Sequence, residues 1–191
     1  MRKSKRPMGT QRRAQAGFTL VELMTTVVIV GLLATLAVYS VRKYVASSKT
    51  SEAIEMIGAI KGAEETYKDE TFTYLGPSAD FSTSSFYPNN PLPGRQKMPW
   101  GGAGPGLNQW QQLGVTASAP LLFTYACVAG ASGGNVPSPS GDSGNITIGN
   151  WPTTTAGPFY VVKARADLRG DGVMTVFVSP SFSGDMYAAN N

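Results

Sequence analysis

The stretch GFTLVELMTTVVIVGLLATLAVYSV, residues 17–41, decides the architecture. One carboxylate, Glu22, sits just inside its start, and the nineteen positions from Leu23 to Val41 carry no charge. As an α-helix rising about 1.5 Å per residue they cover roughly 28 Å, close to the ~30 Å hydrocarbon core of a bilayer. A helix in a soluble domain is usually shorter and shows a polar face. The stretch reads as a membrane span. The remainder of the 191 residues is what precedes it, continues it and hangs from it.

Upstream, residues 1–17 are polar and carry six basic side chains, Arg2, Lys3, Lys5, Arg6, Arg12 and Arg13, with no acid among them. A secretory signal peptide places its small-residue cleavage site after the apolar segment, whereas Ala14, Ala16 and Gly17 precede it here. The excess of positive charge before the span puts the amino terminus in the cytoplasm and everything after Arg42 in the periplasm or outside. The formal charge of +4 comes from this leader; without it ten basic residues face twelve acidic ones, a formal −2. The remainder therefore gives no indication of nucleic acid. There is no histidine, which disfavours acid–base catalysis near neutral pH. The single cysteine, Cys127, excludes an intramolecular disulfide and lies in an apolar run, LLFTYACVA, as a small buried hydrophobe.

The run Ala16-Gly17-Phe18-Thr19-Leu20-Val21-Glu22, behind a basic leader and ahead of a span, resembles the class III signal of type IV pilins and pseudopilins. The resemblance is close over residues 16–41. It implies that a prepilin peptidase cuts after Gly17, that the new terminal Phe18 is N-methylated, and that Glu22 is the acid at the fifth mature position. The physics of Glu22 agrees with this. A carboxylate centred in a span costs on the order of 2.5–3.5 kcal/mol and is rarely present without a partner. Cleavage would create an ammonium on Phe18, and in a helical filament Glu22 of one subunit can neutralise that of a neighbour. A buried unpaired charge is the costly alternative, so the pairing sets axial register. The other reading is Glu22 reaching out to the membrane interface.

Residues 42–69 continue the helix. Ala53, Met56, Ile60, Ala63 and Tyr67 recur in steps of three and four, with Glu52, Glu55, Lys61, Glu64, Glu65 and Lys68 assigned to the other face. Span and continuation together make about fifty residues, on the order of 75 Å. Gly31, Gly58 and Gly62 are weak points within it, each costing about 1 kcal/mol relative to alanine.

Residues 70–119 form a Pro/Gly-rich loop whose aromatics Phe81, Phe86, Tyr87, Trp100 and Trp110 pack partly onto the domain, as covering structure or as a contact surface. Residues 120–191 hold strand-like runs at Leu121–Val128, Phe159–Ala166 and Val173–Ser179, with a short strand at Asn145–Ile148 as a further candidate. FYVVKARA alternates and reads as half-buried. The fold class is α+β: a long amino-terminal helix packed against a small antiparallel sheet, the architecture the resemblance also implies. Asn145-Ile146-Thr147 fits a glycosylation sequon. Asp167 and Asp171, followed by Gly172, are candidate oxygen ligands for calcium, although Arg169 and Val178 occupy positions where a calcium loop wants oxygens. The alternative there is a hairpin turn.

Three functions follow as expectations. The first is a subunit of a type IV pilus-like filament, with itself, a prepilin peptidase, an assembly platform and other minor pilins as partners, held in the inner membrane before assembly. The second is a pseudopilin of a type II secretion machine. The third is an anchored periplasmic binding or enzymatic domain, against which the missing histidine counts. Two features depart from the resemblance: the carboxy-terminal disulfide of many pilins is impossible, and the leader is long.

Overall fold

The computed structural model describes residues 17–140 and 146–190, so the leader up to residue 16 and Asn145 of the sequon lie outside the described residues. The chain divides into two compact units, Met1–Lys43 and Tyr44–Asn191. Helix α1 spans Leu20–Thr71, passing without interruption through Gly31, Gly58 and Gly62. Apart from the neighbouring residues and the helix's own backbone, no atom lies within 4 Å of where a Cβ would stand at any of these three, so tertiary packing within the chain does not demand glycine there.

In the first unit, the segment Leu20–Val41 is long and apolar enough to cross a membrane. None of it is buried, and Leu23, Val28, Leu33 and Leu36 are each more than half exposed. A contiguous apolar surface of this kind requires lipid or another protein against it.

In the second unit, α1 lays one stripe onto a four-stranded antiparallel sheet. The strands are β1 (Thr124–Gly130), β2 (Phe159–Ala166), β3 (Thr175–Pro180) and β4 (Tyr187–Ala189), in the order β1-β2-β3-β4. Ala53, Met56, Ile57 and Ile60 of the helix pack with Tyr125, Cys127, Tyr160, Val162, Ala164 and Phe177, which share one face because side chains alternate along a strand. Expected and observed bounds agree for β2. The first run starts late, at Thr124 rather than Leu121, because the amides of Leu122 and Phe123 donate to a side chain of α1 instead of to a strand. Strand β4, three residues at the sheet edge, carries no sequence signal. Ile146–Ile148 is not a strand, although Ile146 is buried.

The half-buried reading of β2 is corrected: all eight of its residues are buried. The second face of the sheet (Ala126, Val128, Val161, Val176, Val178) is covered by Phe81, Phe86, Val136 and Ile146 from the connecting segments. Two cations on that face are absorbed by the cover. Lys163 Nζ donates to the Pro139 carbonyl at 2.9 Å and lies 5.7 Å from the Phe81 ring centre. Arg165 donates to the Thr83 carbonyl at 3.2 Å with its guanidinium 4.1 Å over Phe86, and such cation–π contacts strengthen as water is excluded.

The 70–119 segment is likewise ordered against the sheet. Tyr87 and Tyr125 exchange backbone hydrogen bonds at 2.7 Å, and Met98 pairs with Leu121. A short helix α2, Leu107–Gln112, seats the fully buried Trp110 within an aromatic cluster with Tyr87, Trp100 and Tyr125. The close approach of this segment to the β2–β3 turn requires glycine at position 94. Gly94 has φ +90°, and a Cβ there would stand 2.4 Å from the Asp167 carbonyl oxygen.

Candidate functional site

The amino-terminal end of α1 is built by local hydrogen bonding. Gly17, Phe18 and Thr19 precede the helix without regular structure, and the Phe18 side chain is 84% exposed. The Gly17–Phe18 peptide bond therefore stands outside the helical ladder. The Thr19 amide and hydroxyl both donate to Glu22 Oε2, at 2.9 and 2.7 Å, and the Glu22 amide donates back to Thr19 Oγ1 at 3.2 Å. This is a reciprocal capping box, which satisfies amides that the first turn leaves without carbonyl partners. The negative charge also sits at the positive end of the helix dipole. Thr19-Leu20-Val21-Glu22 carries the Thr-x-x-Glu signature, so the sequence itself holds a signal for the capping role of Thr19, a residue that the resemblance assigns no role.

Two further carboxylates of α1 tie the helix to the remainder of its unit. Glu52 Oε1 accepts the amides of Leu122 and Phe123 at 2.6 and 3.1 Å. Glu64 is corrected from the exposed face to full burial. Its oxygens accept the amides of Leu75 (2.9 Å) and Gly76 (3.2 Å) and the Cys127 thiol (3.3 Å). Its position follows from spacing, because residues 53, 57, 60 and 64 share one helical stripe. Burial pushes the Glu64 carboxyl above its ordinary value, against the pull of these three donors. Burial, together with the neighbouring Glu64, pushes the Cys127 thiol well up, so Cys127 is an unreactive core residue that also donates a hydrogen bond.

Replacing Glu52 by alanine is expected to cost about 1–2 kcal/mol, because the two amides just ahead of β1 lose their acceptor. The check is urea unfolding of the detergent-solubilised chain, followed by tryptophan fluorescence. Glu52→Gln keeps one acceptor oxygen and should recover part of the loss. An unchanged midpoint in the alanine variant would mean that water replaces the carboxylate.

The carboxylates of Asp167 and Asp171 are engaged with backbone. Asp167 accepts the amides of Gly170 (2.6 Å) and Gly172 (3.1 Å) and lies 3.5 Å from Arg95 Nε, while Asp171 accepts the amide of Val173 (2.9 Å). Burial works against the charge on Asp167. The amides of Gly172 and Gly170 and the Arg95 guanidinium outweigh it and hold the carboxyl below the usual range. Among the described residues no three His, Cys, Asp or Glu side chains come together as a metal-holding group.

Comparison with known proteins matches residues 12–38 to the model described as the prokaryotic N-terminal methylation motif. The chain is similar to the type II secretion system core protein G of Pseudomonas aeruginosa, 32% identical over 74% of this chain and 98% of that protein. It is similar to core protein G of Vibrio cholerae, 30% identical over 73% of this chain and 93% of the relative. The fimbrial protein EcpC of Eikenella corrodens is 45% identical over a shorter span, 31% of this chain and 39% of its own. No solved structure matches. With the methylation motif at the head of an exposed apolar helix, and similarity over 74% of the chain to a type II secretion core protein G, the chain belongs to the type IV pilin and pseudopilin superfamily of structural, non-enzymatic filament subunits.

Proposed function

We propose that the chain is made as an inner-membrane precursor with its leader in the cytoplasm, cut between Gly17 and Phe18, methylated on Phe18, and polymerised through α1 into a type IV pilus-like filament. The observation that carries this is the pairing of an entirely exposed apolar helix, Leu20–Val41, with a capped carboxylate at its first turn. The membrane shields that surface before assembly, and copies of the same helix shield it afterwards. Glu22 then answers the ammonium of a neighbouring Phe18. Prepilin peptidase and an assembly platform are the partners this route requires.

A second reading, a periplasmic pseudopilus of a secretion machine, is favoured by one observation. Similarity to the two core G proteins covers 74% and 73% of the chain, whereas similarity to EcpC covers only 31%. Both readings use the same processing and the same helix. They separate on mass spectrometry of the amino-terminal peptide in cell-surface shear and membrane fractions. A peptide beginning at methylated Phe18 in the sheared material is expected for a pilus. The same peptide confined to membranes, with protein secretion lost on deletion, is expected for a pseudopilus. An uncut Met1 terminus would overturn both.

A further inference from the structure

On the second unit, α1 and the segment before β1 enclose an open groove of about 350 Å³. Met56, Ala59 and Leu121 line it together with the acids Glu52 and Glu55. The two acids differ. Glu52 already holds the amides of Leu122 and Phe123. Glu55 is exposed, and among the described residues it has no ion partner in its own chain.

The described cations of α1 divide in the same way. Lys61 donates to Ser179 Oγ at 3.1 Å, and Lys68 is held by Tyr74 and Glu65. Lys49 has no ion partner within the described chain. Lys49 and Glu55 cannot serve each other within one subunit. Six residues of helix put them about 9 Å apart along the axis and roughly 120° apart around it.

Two opposite charges without ion partners, set on different faces of one helix with Glu55 lining a groove, fit a heterologous contact between identical copies. Such a contact repeats without closing and so builds a filament. We propose that Lys49 of one subunit enters this groove on its neighbour and pairs with Glu55, forming a second electrostatic register along α1. The proposal rests on the filament reading and deepens it. Matching one Phe18 to the next Glu22 shifts adjacent parallel helices by four residues, about 6 Å. Within the second unit, an axial shift of four to eight residues between parallel helices brings Lys49 to within about 3 Å of the level of the neighbour's Glu55, inside the reach of a lysine side chain. Complementary charges placed this way select register and partner more than they add affinity.

The test uses the full chain in the producing cell. Lys49→Glu sets two acids against each other and should lower filament yield roughly tenfold, and Lys49→Glu combined with Glu55→Lys should restore it. An unchanged urea midpoint for Lys49→Glu shows that folding is intact. The double variant Lys49→Cys, Glu55→Cys supplies a direct readout. Cα atoms six residues apart in a helix are beyond the ~7 Å limit of a disulfide, so every bond is between subunits. Oxidation should give a ladder of trimers and higher multimers, while each single variant stops at dimers. Normal filament yield in Lys49→Glu, with crosslinking of the double variant stopping at dimers, would overturn the proposal. Glu22→Ala run in parallel keeps the failures apart: if that variant loses filaments while Lys49→Glu does not, the filament reading stands and the second register is wrong.

Discussion

Cells carrying Glu22→Ala are expected to insert the precursor and cut it at Gly17, and to assemble few or no filaments. The proposed cleavage leaves an ammonium on Phe18, and without Glu22 that charge enters an apolar assembly unanswered. A penalty of about 3 kcal/mol per subunit, typical of a charge within a span, raises the subunit concentration needed for polymerisation roughly a hundredfold. The capping box supplies a competing explanation, because alanine also removes the acceptor for the Thr19 amide and hydroxyl. Two variants separate cap from charge. Glu22→Gln keeps a side-chain acceptor at the third helical position but carries no charge. Thr19→Ala keeps the charge and loses the cap, at about 1 kcal/mol of helix stability. Filament counts by electron microscopy, with immunoblots for cleavage, should place Glu22→Gln beside alanine and Thr19→Ala nearer the wild type. Normal filaments in Glu22→Gln would move the role of Glu22 from pairing to capping.

The parts of this molecule that were legible in sequence are those in which composition and position agree. Residues 23–41 are uncharged and mostly apolar, and no periodicity has to be weighed against them. Strand β2 was found to the residue because Phe159–Ala166 is β-prone and bounded by Pro158 and Asp167. Its environment was not, because Lys163 and Arg165 look like a wet face. Only the long-range return of Phe81 and Phe86, some eighty residues earlier in the chain, shows that face to be covered. Helix α2 is six residues between glycines and a proline, too short for periodicity to show. Glu64 is a different case. Its spacing fits the buried stripe, but a carboxylate is so rarely buried that its charge points to the exposed face. The acceptors it offers to Leu75, Gly76 and Cys127 belong to tertiary structure and leave no local mark.

That buried carboxylate should dominate the stability of the sheet-bearing unit. Glu64→Ala strands two backbone amides and a thiol and opens a cavity beneath β1, a loss of about 2–4 kcal/mol after allowing for the relief of a buried charge. Glu64→Gln keeps the volume and one acceptor oxygen, and should lose less. The two differ in a second, more specific way. Burial raises the folded-state value of the Glu64 carboxyl above its ordinary value of 4.5. Below pH 4.5 both the folded and unfolded chains hold that proton, and stability is at its fullest with respect to this group. As pH climbs from 4.5 through the raised value, the unfolded chain releases the proton first, so the folded state loses ground. Above the raised value the loss is complete and level. The stability of the wild type relative to Glu64→Gln should therefore fall with rising pH across that window and be flat on either side. Urea unfolding of both detergent-solubilised chains over a pH series measures this difference directly, because titrations shared by the two proteins cancel. A difference that rises with pH would mean that the three donors outweigh burial and that Glu64 is held as a carboxylate. The helix would then be fastened to Leu75, Gly76 and Cys127 by charge-assisted hydrogen bonds.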